Sequence, residues 1–280
     1  MRPMKAPTCQ PGPLKGPIKL SAPETHGFWE IPICFEDAHV LALDKPSGLL
    51  TSPARQNPEQ PSLIQLLHAG IAAGKPWVKE HGVAYLMNAH RLDVETSGVA
   101  LLAKSKPVLI ALANLFGSEK PVREYLALAS GTPPEDRFEV DAPLAPHPVK
   151  DGLLCVDRRR GKRARTVFVV RERFDGWTLL ECQPLTERPH QIRAHLRHLR
   201  LPLAGDAPYG GKPLLLSQLK PDYRLKRNEP ERPLLGRAAL HLGKLALAHP
   251  VTGEPLSIGA PWPKDLSVAV KYLRRYAPNA

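Results

Sequence analysis

The segment His90-Arg91-Leu92-Asp93-Val94-Glu95-Thr96-Ser97-Gly98 places one acid, Asp93, in a polar turn just before the apolar run Val99 to Ala103. Aspartate has a reference pKa of ~3.9, so at neutral pH it is a carboxylate able to act as base or nucleophile. Arg91 is permanently charged and favours that ionised state. Asp93 or Thr96 would equally well close the turn through side-chain to backbone hydrogen bonds, and for an isolated aspartate that bland role outweighs chemistry. Other chemistries lack their residues. His190, His195 and His198 lie close together, but there is no H-E-x-x-H and no carboxylate beside them, so no metal is expected. Neither a G-x-S-x-G elbow nor a G-x-x-x-x-G-K-[ST] phosphate loop is present.

The elements that must position Asp93 follow from local pattern. Structure is expected to begin near Phe28, because residues 1–26 carry Pro3, Pro7, Pro11, Pro13, Pro17 and Pro23 with four basic residues and one acid, Glu24, the composition of a flexible tail. Val40 to Leu43 reads as a short buried strand entering a turn at Asp44 to Gly48. Lys45 in that turn is a structural or phosphate-contacting residue rather than a chemical one. Ser62 then precedes Leu63, Leu66, Leu67 and Ile71, an apolar stripe at helical spacing. Gly98 to Leu102 should be a strand, and Ser105-Lys106-Pro107 caps a helix ending at Gly117, with Leu109, Leu112, Ala113 and Phe116 on its buried face.

Further along, Arg123 to Ala129 alternates as a strand. Between Asp157 and Arg165 six of nine residues are basic, Arg158, Arg159, Arg160, Lys162, Arg163 and Arg165, either a solvated hairpin tip or a set of phosphate contacts. A helix starting near His190 puts Ile192, Leu196 and Leu199 on one face and Arg193, Arg197 and Arg200 on the next, so that it packs on one side and presents guanidinium groups on the other. Residues 211–237 form a basic, irregular excursion. Leu245 to His249 and the segment Pro250 to Pro255 read as two short strands around a turn.

The 280 residues are 42% apolar, ordinary for a chain that buries a core. Lys and Arg number 39 against 27 Asp and Glu, a net charge of +12 and a pI near 9.7, the footprint of a polyanion binder that does not separate RNA from DNA or acidic lipid. Cys9, Cys34, Cys155 and Cys182 lie far apart without a C-x-x-C pair, which suggests reduced thiols in a cytoplasm. No apolar run approaches the ~20 residues of a membrane span, and no signal-peptide core is visible.

The pattern H-R-L-D-x-x-T-S-G resembles the signature of RNA pseudouridine synthases of the RluA family, and further pieces occur in the family's order. Glu36-Asp37 followed by Lys45-Pro46-Ser47-Gly48 is similar to the first motif. Arg123-Glu124-Tyr125 resembles K-x-Y with arginine in place of lysine, and Gly161 to Thr166 resembles G-K-x-A-x-T. Thr186 to His195 resembles T-G-R-x-H-Q-I/L-R-x-H, with one departure, Glu187 in place of glycine. Gly205-Asp206, Tyr209-Gly210 and the closing His249 to Glu254 complete a match from about residue 34 to 266.

The resemblance implies that Asp93 is catalytic, that Tyr125 lies against the target base and that Arg193 pairs with the catalytic aspartate. It implies substrate-binding positions at His90, Arg91, Thr96, Arg188, His190 and Gln191, with phosphate contacts at Arg158, Arg159, Lys162 and Arg163. The expected fold is α+β, a single catalytic domain over residues 27–280 with a long mixed β-sheet, flanking helices and a central active-site cleft. The implied reaction isomerises uridine to pseudouridine in ribosomal or transfer RNA, with the base flipped out of its stack. Asp93 either attacks the nucleotide or removes a ribose proton. No cofactor and no metal are expected. The partner is RNA, with no membrane, no obligate protein partner and a monomeric state. A non-catalytic RNA-binding protein is the rival, since basic helices and an aromatic strand suffice for binding, but it does not account for the intact H-R-L-D-x-x-T-S-G.

Overall fold

The computed structural model describes residues 16–54, 59–119, 121–220, 222–224 and 229–278. In chain order its elements are β1 (Ile18–Ala22), β2 (Gly27–Ile31), β3 (Ile33–Glu36), β4 (Val40–Lys45), α1 (Leu63–Ala72), α2 (Pro76–Glu80), β5 (Met87–Asn88) and β6 (Ser97–Ala103). Helix α3 (Lys106–Asn114) runs into a π-helical turn, Leu115–Glu119, followed by β7 (Val122–Ser130), β8 (Arg137–Asp141), β9 (Leu144–Pro146), β10 (Leu154–Val156), β11 (Arg165–Phe174) and β12 (Trp177–Pro184). The series closes with α4 (Gln191–His198), α5 (Leu216–Leu219), β13 (Leu240–Ala248), β14 (Pro255–Gly259) and α6 (Lys264–Tyr276). The architecture is α+β, a mixed sheet flanked by helices.

Met1–Arg123 and Leu242–Pro261 form one compact unit. Its strands run in the order β3, β4, β6, β13, with β5 against β6 and β14 against β13. β4 and β6 pair antiparallel from Val40↔Ala103 to Lys45↔Gly98. Leu41, Leu43, Ala100 and Leu102 on one face of this pair pack against α1 and β1, and every residue of β6 is buried. Ser62 caps α1, its hydroxyl accepting the Gln65 N–H at 3.3 Å, as the Ser-then-apolar pattern suggested.

Two expectations change here. β1 falls inside the stretch expected to be a tail: Ile18, Leu20 and Ala22 are buried and alternate with exposed Lys19 and Ser21, while Pro17 and Pro23 flank the strand without interrupting it. The tail reading of residues 1–15 lies outside the described residues. On α3 the buried positions are Val108 and Leu112, and Ala113 is exposed. Three consecutive apolar residues, Val108-Leu109-Ile110, allow two adjacent stripes, and tertiary packing selects the one displaced from the expected phase.

Glu124–His241 and Trp262–Ala280 form the second unit, with strand order β7, β12, β11, β8. β12 pairs antiparallel with β7 from Cys182↔Tyr125 to Trp177↔Ser130. Strand period two then assigns the helices: Leu128 and Leu179 pack with Leu266, Ala269, Val270 and Leu273 of α6, whereas Ala127, Ala129, Leu180 and Cys182 pack with Ile192 and Leu196 of α4. The excursion over 211–237 contributes Leu214, Leu219 and Leu235 to the α6 side.

Candidate functional site

Asp93 sits half-buried in the loop that enters β6, and the loop's backbone is fixed on both sides. The Thr51 hydroxyl donates to the Leu92 carbonyl and accepts the Leu92 N–H, each at 3.0 Å. Gly48 N–H donates to the Val94 carbonyl at 2.8 Å, and Thr96 N–H closes a turn onto the Asp93 carbonyl at 3.0 Å. Asn88 Nδ2 donates to the His90 carbonyl at 2.9 Å. Behind the loop, Gly98 has φ +114°, and a Cβ there would stand 2.2 Å from the Leu242 carbonyl oxygen. Only glycine lets β6 approach β13 this closely, which explains the last letter of the motif.

The residues expected around Asp93 divide by burial. Arg91 is exposed, whereas His90, Thr96 and Ser97 are buried. His90 Nε2 accepts the Leu101 N–H at 3.2 Å, which requires a neutral ring protonated at Nδ1. Burial, with a smaller contribution from the Arg123 charge, pushes its pKa down to about 3. Lys45 is fully buried with Nζ donating to the Pro46 and Leu49 carbonyls at 2.8 and 2.7 Å, so of its two expected roles the structural one holds. Thr51 was missed by sequence reasoning. A lone threonine after Leu49-Leu50 carries no local signal, because its partner lies 41 residues away.

In the second unit α4 begins at Gln191, with His190 just before it in the left-handed region at φ 53°. Its arginine face departs from expectation. Arg193 is buried, its Nε and Nη2 donating to Asp206 Oδ2 and Oδ1 at 2.8 and 2.7 Å in a bidentate pair, and its guanidinium lies 4.9 Å from the Tyr209 ring centroid. Arg197 is exposed as expected, but Arg200 lies beyond the helix end, also left-handed at φ 62°. A spacing argument sees only the helix. It does not see that the Gly205-Asp206 segment folds back to supply a carboxylate.

Gln191 and His195 on α4 are buried in a polar chain. Gln191 Nε2 donates to the Arg165 carbonyl and Thr166 Oγ1 at 3.0 and 2.9 Å, Thr166 Oγ1 meets His195 Nδ1 at 2.9 Å, and His195 Nε2 meets the Ala142 carbonyl at 2.9 Å. Burial keeps the His195 pKa below its ordinary value. His190 is half-buried, its Nδ1 3.1 Å from the Tyr209 hydroxyl, which also accepts the Leu154 N–H at 3.0 Å. Arg188 is half-buried and donates from Nη1 to the Glu187 carbonyl at 2.9 Å. Tyr125 is half-buried on the α4 side of β7.

The basic run forms the connection from β10 to β11. Asp157 Oδ1 accepts the Arg159 and Arg160 N–H groups at 2.8 and 3.0 Å, bonds that hold its carboxyl below the usual range. A Cβ on Gly161 would stand 2.3 Å from the Asp157 carbonyl oxygen, so the tight turn needs glycine. The turn leaves Arg158, Arg159, Arg160, Lys162 and Arg163 exposed, while Arg165 pairs with Glu139.

A half-buried carboxylate in a tied loop and a turn that leaves five basic side chains exposed are features of a protein that binds a polyanion. Residues 39–198 match the family model described as RNA pseudouridylate synthase. The ribosomal large subunit pseudouridine synthase D of Xanthomonas campestris pv. campestris is 37% identical over 250 residues, covering 89% of this chain and 71% of that protein. The protein of the same name from Haemophilus influenzae is 36% identical over 234 residues, 83% of this chain and 68% of that one. Among solved structures, human RNA pseudouridylate synthase domain containing 4 shares the fold, with a TM-score of 0.64 and 24% identity over 88% of this chain and 94% of that one. The chain belongs to the RNA pseudouridylate synthase family, and its activity is the isomerisation of uridine to pseudouridine in RNA.

Proposed function

We propose that this enzyme acts on ribosomal RNA of the large subunit, in the cytoplasm, with Asp93 as the reacting carboxylate. The names of its relatives support that substrate: two called large-subunit enzymes align over more than four-fifths of this chain. The observation that carries the role of Asp93 is the intact H-R-L-D-x-x-T-S-G loop with its backbone tied at Leu92, Val94 and Thr96. Such a loop delivers one carboxylate in one place, which is what positioning catalysis requires. The reaction breaks the bond from ribose C1′ to uracil N1, turns the base and joins C1′ to C5, with the C5 proton lost and N1 gaining one. No electrons are exchanged with any external group. The base must leave its stack first, at about a few kcal/mol.

Tyr125 is the ring that faces the base, in a contact of roughly 1–3 kcal/mol, and Arg193, held by Asp206, is the cation that the family's second motif assigns to the catalytic aspartate. Arg91, exposed beside Asp93, takes the space that the flipped base vacates. His90, Thr96 and Gln191 contribute by shaping the two motifs from within, since each is buried. Arg158, Arg159, Lys162 and Arg163 meet phosphates. The test is Asp93→Asn, nearly isosteric and uncharged, assayed by mapping pseudouridine in large-subunit RNA. Loss of all product with RNA affinity within a few fold of wild type is expected. Product formed by the purified variant would remove Asp93 from the reaction, and a wild type that binds RNA without forming product would favour a binding role.

A further inference from the structure

Three aromatic or cationic groups from separate segments meet behind the Asp93 loop. The His90 and Phe116 rings stack with centroids 5.4 Å apart and planes 15° from parallel. The Arg123 guanidinium lies over the same Phe116 ring, 5.0 Å from its centroid. Arg123 and His90 are buried, and Phe116 sits on the π-helical turn that follows α3. Such turns are frequent at functional sites. His90 in turn holds the Leu101 N–H on β6, and its own carbonyl is held by Asn88. The ring is therefore a strut between β6 and the backbone that reaches Asp93 three residues later.

Arg123 stands where the K-x-Y pattern carries lysine. A planar guanidinium covers a ring face more fully than an ammonium does. It also adds a fixed positive charge near His90, which opposes protonation of the imidazole and so preserves Nε2 as an acceptor. We infer that Phe116 and Arg123 are positioning residues for the isomerisation, acting together through the His90 ring to hold the Asp93 loop in its reactive geometry. Neither touches the substrate in this role. A displacement of about 1 Å in a reacting group is enough for a rate loss of ~10²-fold.

The inference rests on the isomerisation itself, so the experiment measures product from the wild type first. Single-turnover rates at saturating RNA are then compared for Phe116→Leu, Arg123→Met and the double variant, with KM and thermal midpoint recorded for each. Each single variant should lose about tenfold or more in rate with KM for RNA within about twofold, and the double variant should lose little more than the worse single one, as members of one unit do. Phe116→Tyr and Arg123→Lys, which keep the ring and the charge, should stay within about threefold of wild type. If Phe116→Leu does not fold, Arg123→Met and the two conservative variants still decide. A full rate in Arg123→Met, losses that multiply in the double variant, or conservative variants as slow as the disruptive ones would overturn the positioning role. A wild type without product would overturn the activity instead.

Discussion

Glu187 is the residue at which this chain leaves its family's second motif, and its backbone decides what that departure means. A glycine in such a corner often marks a left-handed residue, and glutamate there would be strained. Among described non-glycine residues, positive φ occurs at His26, His190 and Arg200, so Glu187 is unstrained, and the left-handed turn is made three residues later by His190. Glu187→Gly should therefore destabilise the protein by about 0.4–1 kcal/mol, through the freedom it adds to the unfolded chain. Urea unfolding checks the sign, and a stabilised variant would contradict the backbone described here. Turnover should remain within tenfold, because the side chain is exposed. At this scale the candidate site residues could be named because each lies in a motif with fixed spacing. Thr51, which anchors Leu92, was not, because its role depends on a contact 41 residues distant.

At the scale of elements, alternation made β7 legible, an apolar run made β6 legible, and capping chemistry located α1. What escaped was whatever depended on a partner. The phase of α3 was set by packing, and β1 was hidden by its flanking prolines although Ile18, Leu20 and Ala22 alternate correctly. α6 lies beyond the family's motifs, yet Leu266, Ala269, Val270 and Leu273 carry a full helical stripe. The join between β10 and α4 was also unforeseen: Ala194 packs in one cluster with Leu154 and Val156, and the Tyr209 hydroxyl accepts from Leu154 N–H and meets His190 Nδ1. Tyr209→Phe removes that oxygen with almost no change of shape. It should lower stability by about 1–3 kcal/mol, the range for a polar group that loses its partner. A lower urea midpoint at constant m-value is the expected record. An unchanged midpoint would mean that water replaces the hydroxyl and that its hydrogen bonds contribute nothing net.

For the whole molecule the formal charge of +12 does not state where the surplus lies. Several arginines of the second unit are neutralised locally, Arg165 by Glu139, Arg171 by Glu181, Arg173 by Asp136, Arg237 by Asp265 and Arg274 by Glu172. The turn between β10 and β11 differs. Among the described residues none of Arg158, Arg159, Arg160, Lys162 and Arg163 has an ion pair, and the one acid nearby, Asp157, is engaged with backbone N–H groups. That arrangement shapes the turn without depending on the cationic side chains, so removing them should leave the turn folded. If Arg158 and Arg159 each neutralise one phosphate, replacing both with alanine should reduce the slope of log affinity against log salt by ~0.7–0.9 per contact, roughly 1.4–1.8 in total. The loss should be similar across RNA sequences, since phosphates carry no sequence information. Binding titrations between about 50 and 200 mM salt provide the measurement. A slope that does not change would return the basic run to a solvated turn and require the polyanion to be held elsewhere on the molecule.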